Sequence, residues 1–165
     1  KVVANIPYYI TTPIIFRLIE CRRSLKSMTI MVQKEVAERI AAKCGPKEYG
    51  VLSIMIQYYG NTKMGFVVPR GAFRPVPKVD SAVVHIDIYN EPAVKVTDEQ
   101  MFFRVIKTSF SQRRKMLSNS LKPITGDIDA SDILTSAGID PKRRPETLSL
   151  IEFARLAEMV KRERP

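Results

Sequence analysis

The chain is 165 residues long and carries a formal net charge of +10, from 27 basic and 17 acidic side chains. That length suits one domain of ordinary size, or one and a small appendage, and the charge points to a polyanionic partner. Cys21 and Cys44 have neither CxxC nor metal-ligand spacing, so neither a disulfide framework nor a metal site is expected. No stretch is apolar for long enough to span a membrane, and a cytoplasmic protein is predicted. The chain opens in mid-strand without an initiator methionine and reads as part of a longer protein.

Lys1-Val-Val-Ala-Asn5 is a short apolar run of parallel-strand type. Asn5-Ile6-Pro7-Tyr8 is then the loop leaving its carboxyl end, where open α/β sheets place ligands. Thr12 suits a helix N-cap and Pro13 the first helical position, which predicts a helix over 13–20. Arg22, Arg23 and Lys26 mark the connection to a second buried strand at 28–33. Residues 35–43 read as a helix, with Val36, Ile40 and Ala37, Ala41 at i, i+4 spacing, closed by Cys44-Gly45-Pro46. Another helix is predicted over 50–59, its apolar face made by Val51, Leu52, Met55, Ile56 and Tyr59. Strands follow at 62–68 and 81–89. In the second, Ala82, Val84, Ile86 and Ile88 alternate with Val83, His85, Asp87 and Tyr89. His85, the only histidine, has no recognisable catalytic partner near it in sequence and reads as structural.

Beyond Glu91-Pro92 the pattern is helical, with helices predicted at 98–110, 112–121, 130–137 and 149–162. Thr97-x-x-Gln100 resembles a capping box, and Ser149-x-x-Glu152 is a better one. The chain therefore divides into an α/β portion, residues 1–97, and a small all-α domain, residues 98–165.

Three stretches carry chemistry. At Asn5–Tyr8, the Asn5 side-chain oxygen and a backbone carbonyl beside Pro7 offer two acceptors for the N–H groups of an exocyclic amine, and Tyr8 offers a face for a base. The same four residues also make a good turn. In Phe73-Arg-Pro-Val-Pro-Lys-Val-Asp-Ser81, the prolines stiffen an extended loop that presents Phe73 opposite Tyr8, or leads Phe73 into the core. In Phe110-Ser-Gln-Arg-Arg-Lys-Met-Leu-Ser-Asn-Ser-Leu121, the consecutive Arg113, Arg114 and Lys115 fan around a helix start, either for a curved phosphate backbone or as a solvated helix end. Lys142, Arg143 and Arg144 form a second basic turn before the last helix.

Together and in this order, NIPYYITTPI, QKEVAERI, FRPVPKVDSAVV, FSQRRKMLSNSL and RRPETLSLIEF resemble the KsgA/RsmA family of ribosomal RNA adenine dimethyltransferases, from residue 1 to about residue 157. The resemblance implies the C-terminal part of a class I, Rossmann-like methyltransferase domain followed by a helical domain that docks rRNA. It implies S-adenosylmethionine as cofactor and N6 of two adjacent adenines near the 3′ end of small-subunit rRNA, in the immature 30S subunit, as substrate. Asn5 and the Ile6 carbonyl would orient N6, with Tyr8 and Phe73 sandwiching the base. Asn5 would also face the cofactor, and no metal is implied. Arg22, Arg23, Lys26, Arg113, Arg114, Lys115, Lys142, Arg143 and Arg144 are the candidate RNA contacts. The family's upstream half has no counterpart: the seven glycines, at 45, 50, 60, 65, 71, 126 and 138, form no GxGxxG pattern. This chain alone is accordingly expected to bind the cofactor weakly or not at all, to be inactive, and to self-associate through residues 1–5, whereas the full-length protein is expected to be a monomer. The rival readings are a large-subunit rRNA adenine methyltransferase and a non-catalytic nucleic-acid-binding relative such as a mitochondrial transcription factor of the same fold.

Overall fold

The computed structural model describes residues 1–163, which group into two compact units. One comprises residues 1–42 and 52–93, the other residues 43–51 and the chain from Val94 onward. Residues 43–51 thus pack with the helical unit, although the sequence pattern places them in the α/β portion.

The first unit is built on a mixed sheet of β1 (Val2–Asn5), β2 (Ser27–Gln33), β3 (Gly60–Val68) and β4 (Ser81–Ile88), in the order β1-β2-β4-β3. β1 runs parallel to β2, and β4 is antiparallel to both of its neighbours. The period of two explains the core. Met28, Ile30 and Val32 pair with Ile86, Val84 and Ala82, and all six are fully buried. Burying each of the larger ones contributes about 1.5–3 kcal/mol. The alternate row carries polar groups beside Met31 and Val83: the Thr29 hydroxyl lies 2.7 Å from His85 Nδ1, and His85 Nε2 lies 3.0 Å from the Asp87 carboxylate. Both ring nitrogens of His85 are thereby engaged, and its hydrogen bond to Asp87 is the main cause that holds that carboxyl below its usual range. β1 lies at one edge, with Val3 83% exposed. A Cβ at Gly60 would sit 2.5 Å from the Asp87 carbonyl, so only glycine allows β3 to start this close to β4.

The helices of this unit depart in detail from the sequence pattern. α1 (Thr11–Glu20) follows directly on a single 3-10 turn, Tyr8–Ile10, and its N-cap is Ile10, without a side-chain bond. Thr12 caps nothing. Pro13 falls third in the helix, where N–H groups still lack intrahelical partners. α2 is Lys34–Ala41, two residues shorter at its end than expected. α3 (Val51–Tyr59) buries Ser53, Ile54, Ile56, Tyr58 and Tyr59, so of the face expected only Ile56 and Tyr59 are buried, and Val51, Leu52 and Met55 are half-buried. β3 begins at Gly60, two residues early.

The second unit contains α4 (Glu99–Ser111), α5 (Leu117–Ser120), α6 (Lys122–Thr125), α7 (Ala130–Ser136) and α8 (Leu150–Glu163). Phe102, Val105, Ile106, Leu117, Leu134, Phe153, Leu156 and Val160 form its buried core. The helix expected over 112–121 does not form: residues 112–114 turn, and two one-turn helices follow, the second with Pro123 near its start. Asp98, not Thr97, caps α4 by accepting from Met101 N–H at 2.9 Å, while Thr97 bonds to Glu158. The Ser149–Glu152 box closes reciprocally: Glu152 N–H donates to Ser149 Oγ at 3.3 Å, and Ser149 N–H to Glu152 Oε2 at 2.8 Å.

Candidate functional site

At the carboxyl end of β1, Asn5 still pairs with Met31, and Ile6 N–H donates to the Met31 carbonyl at 3.1 Å. The Ile6 side chain is buried, 2% exposed, and pins the loop to the core. Asn5 and Pro7 stay exposed. The Thr11 hydroxyl donates to the Pro7 and Tyr8 carbonyls, each at 3.2 Å, which fixes the turn from below. Tyr8 Oη lies 2.5 Å from Ser81 Oγ at the start of β4, so the half-buried ring has one orientation.

The proline-rich loop arrives from the other side. Phe73 N–H donates to the Arg70 carbonyl at 3.3 Å, and Arg70 N–H to the Asp80 carboxylate at 2.9 Å. Lys34 N–H donates to the Asp80 carbonyl at 3.0 Å, which ties the loop to α2. The Arg74-Pro75 peptide bond is cis. Asn5, Ile6, Pro7, Tyr8 and Phe73 consequently line one open cavity of about 290 Å³. Arg74, Pro75 and Pro77 complete its wall. Those three were not singled out in the sequence, although the proline spacing that stiffens the loop was the available signal. Among the described residues, neither the Asn5 side-chain amide nor the Ile6 carbonyl has a hydrogen-bond partner. Two unused acceptors thus stand beside two aromatic rings.

The candidate basic residues separate into two kinds. Arg113 is a strut: its guanidinium donates to the Lys47 carbonyl at 2.7 Å and to the Tyr49 carbonyl, and lies 5.6 Å from the Phe110 ring centre. Arg143 is another, bonded to Glu152 at 2.5 Å and to the Thr147 side chain and carbonyl. Burial alone would raise the Glu152 carboxyl, but the bonds from Arg143 and Ser149 outweigh it and hold it at about 2. Arg114, Lys115, Lys142 and Arg144 are exposed. Arg114 and Lys115 lie beyond the end of α4, not on the helix start expected for them, because the chain turns at 112–114. Arg22, Arg23 and Lys26 lie at the opposite end of the sheet from Asn5, where β2 begins.

A family model described as ribosomal RNA adenine dimethylase matches residues 1–162. The chain belongs to that family. Among its curated relatives, "Ribosomal RNA small subunit methyltransferase A" of Clostridium botulinum (strain Okra / Type B1) is 51% identical over 161 residues, 97% of this chain and 58% of the relative. The protein of the same description from Shouchella clausii is 53% identical over 96% of this chain and 55% of its own length. The chain thus spans little more than half the length of the curated relatives it matches. A dimethyladenosine transferase from Plasmodium falciparum superposes with a TM-score of 0.84 at 26% identity, over 99% of this chain and 67% of that one. The 23S rRNA methyltransferase ErmE shares the fold, with a TM-score of 0.69 at 22% identity over 96% of this chain and 64% of that one. The chain has the class I methyltransferase fold of these structures. Among the described residues, no helix is long and apolar enough to cross a membrane.

Proposed function

We propose that this chain is the adenine-holding part of an rRNA (adenine-N6,N6)-dimethyltransferase that modifies two adjacent adenines near the 3′ end of small-subunit rRNA. The reading rests on one observation above all: the Asn5 amide and Ile6 carbonyl, without a partner among the described residues, at a cavity that Tyr8 and Phe73 also line. An adenine N6 is a poor nucleophile because its lone pair is delocalised into the ring. Accepting both N–H bonds, at Asn5 Oδ1 and the Ile6 carbonyl, favours a more tetrahedral nitrogen and aims its lone pair outward. Tyr8 and Phe73 offset the unstacking of the base, each ring contributing about 1–3 kcal/mol. S-adenosylmethionine, when bound, would supply an electrophilic methyl on a sulfonium, and on this reading Asn5 is the residue of this chain that faces it. No strong general base is needed, because the methylated nitrogen sheds its proton readily.

The residues that hold most of the cofactor belong, on this reading, to the length of the relatives that this chain does not span. By itself the chain transfers no methyl group. The complete enzyme works as a cytoplasmic monomer on the immature 30S subunit, with Arg114, Lys115, Lys142 and Arg144 on RNA phosphates. Joined to the amino-terminal stretch of the Clostridium botulinum relative, the chain should methylate small-subunit rRNA. Asn5→Ala should then lower the single-turnover rate on the order of 100-fold or more while RNA affinity changes little. Tyr8→Ala and Phe73→Ala should each weaken base capture. Parent-like single-turnover rates in all three variants would overturn the reading.

A further inference from the structure

Neither the grip on N6 nor the stacking of the base uses Arg74, which stands in the wall of the small cavity. Among the described residues that line this cavity, it alone carries a charge, and none is a carboxylate. Its side chain is exposed but not unconstrained: Nη1 donates to the Gly71 carbonyl at 3.2 Å and to the Phe73 carbonyl at 3.0 Å. Those bonds tie the guanidinium to the backbone of Phe73, whose ring lines the same cavity. Pro75 and Pro77 stiffen the chain that follows. With Nη1 occupied, Nε and Nη2 keep N–H groups that no described residue accepts. The acid nearest to Arg74 in sequence is Asp80. Its carboxylate accepts from the Arg70 N–H at 2.9 Å and is not paired with Arg74.

We infer that Arg74 binds a backbone phosphate of the adenine nucleotide that enters the cavity, an inference that rests on the proposed function. A base can sit among neutral groups, but it arrives with a phosphodiester on each side of its sugar, each carrying a negative charge. The cavity offers that charge one cation, already oriented. Nε and Nη2 form the side-on edge of the guanidinium. Two parallel N–H bonds from that edge suit phosphate oxygens, whereas a lysine there would act as a point charge. Holding Nη1 in advance also lowers the entropy lost when the phosphate binds. The consequence for the reaction is positional. Tyr8 and Phe73 fix the plane of the base but leave it free to turn within that plane. A second anchor at the phosphate restricts the turning and keeps N6 at Asn5 and the Ile6 carbonyl. Arg70, on the same loop and also exposed, does not line the cavity and serves as the comparison.

The test is a coupling measured on this 165-residue chain, labelled for NMR. The probe is a small-subunit rRNA 3′ hairpin with two adjacent adenines, made with one uncharged methylphosphonate at a time in the linkages that flank those adenines. Each is compared with the phosphodiester RNA of the same sugars. In the parent, at least one replacement should weaken binding about 3- to 10-fold more than the others. In Arg74→Gln that difference should vanish, and Arg74→Lys should keep part of it. A loosened loop cannot give this pattern, because it weakens all the RNAs alike. Arg70→Gln should keep the difference seen in the parent. The Asn5, Tyr8 and Phe73 resonances, followed in the same titrations, separate the two readings. If they respond to the hairpin in the parent while no linkage is coupled to Arg74, the adenine cavity stands and the phosphate site is overturned. Loss of the difference in Arg70→Gln as well overturns it too, since a general positive potential then suffices. If those resonances do not respond at all, the proposed function fails and the phosphate site falls with it.

Discussion

The two units use their polar groups in opposite ways. In the sheet unit, the groups that matter for the proposed chemistry are left unused: among the described residues the Asn5 side-chain amide and the Ile6 carbonyl have no partner, while the Tyr8 ring beside them is held through its hydroxyl by Ser81. In the helical unit, two of the six candidate RNA-binding cations, Arg113 and Arg143, are already committed to carbonyls and a carboxylate of the protein. An identical run of charges thus divides into struts that build the surface and cations that remain available on it. A charge that bonds backbone carbonyls or a carboxylate of the protein is costly to remove even where its side chain is exposed, as at Arg113, whereas an exposed charge without such bonds is nearly neutral for stability.

The sharpest way to break that contrast is at Glu152, which closes the α8 cap and anchors Arg143. Glu152→Ala should destabilise the chain by about 2–3 kcal/mol, measured by urea denaturation, because cap and ion pair go together. The sign with pH follows from its depressed carboxyl. A group with folded pKa about 2 and an ordinary unfolded value contributes fully above about pH 5, and its contribution is lost as pH falls towards 2. The parent should lose stability over that interval more steeply than Glu152→Gln. Parallel acid-unfolding curves would dissolve the strut.

Next in size, Arg113→Gln should cost about 1–2 kcal/mol by freeing the Lys47 and Tyr49 carbonyls, with the salt slope of RNA binding unchanged. Arg114→Gln with Lys115→Gln should do the reverse: stability within about 0.5 kcal/mol of the parent, and a slope reduced by about 0.7–0.9 per phosphate released. The same phenotype in both variants would contradict the division.

What could be read from sequence follows from range. The alternation in β4 and the Ser149–Glu152 box are local patterns, and each formed as read, whereas β2, expected simply as a buried strand, buries only alternate residues from Met28 to Val32. Asn5, Ile6, Pro7 and Tyr8 are contiguous and legible together, whereas the proline loop leaves Phe73 either opposite Tyr8 or in the core, and only the family resemblance groups it with the four that line the small cavity beside it. The partners of Arg113 were not, because they lie 64 and 66 residues away in a segment the local pattern assigns to the other unit. The helix expected at 112–121 failed for a related reason: helix-forming residues there compete with a turn at 112–114 and with Pro123.

Two smaller effects sharpen the comparison further. β1 is an edge whose backbone and exposed Val3 invite another strand. Light scattering should show concentration-dependent self-association that Val3→Lys reduces, and an equally monodisperse monomer in both would contradict it. In the helical unit, the buried Tyr49 hydroxyl has no partner among the described residues, and burial pushes its pKa above the usual range. Tyr49→Phe should leave stability unchanged or raise it by up to about 1 kcal/mol in thermal unfolding, since no hydrogen bond is removed. A clear drop would reveal a bond that the hydroxyl makes.

The most direct test of the central claim is to watch the small cavity take a base. The chain, labelled at the Asn5 amide and in the Tyr8 and Phe73 rings, is titrated with a small-subunit rRNA 3′ hairpin containing the two adjacent adenines, and with the same hairpin carrying guanines there. The adenine RNA should shift all three groups together, with upfield ring-current changes in the base protons, and Asn5→Ala should weaken the response. The guanine RNA should leave them nearly unmoved. Equal shifts with both RNAs, or none at Asn5, Tyr8 and Phe73 while the RNA is bound, would contradict the adenine site.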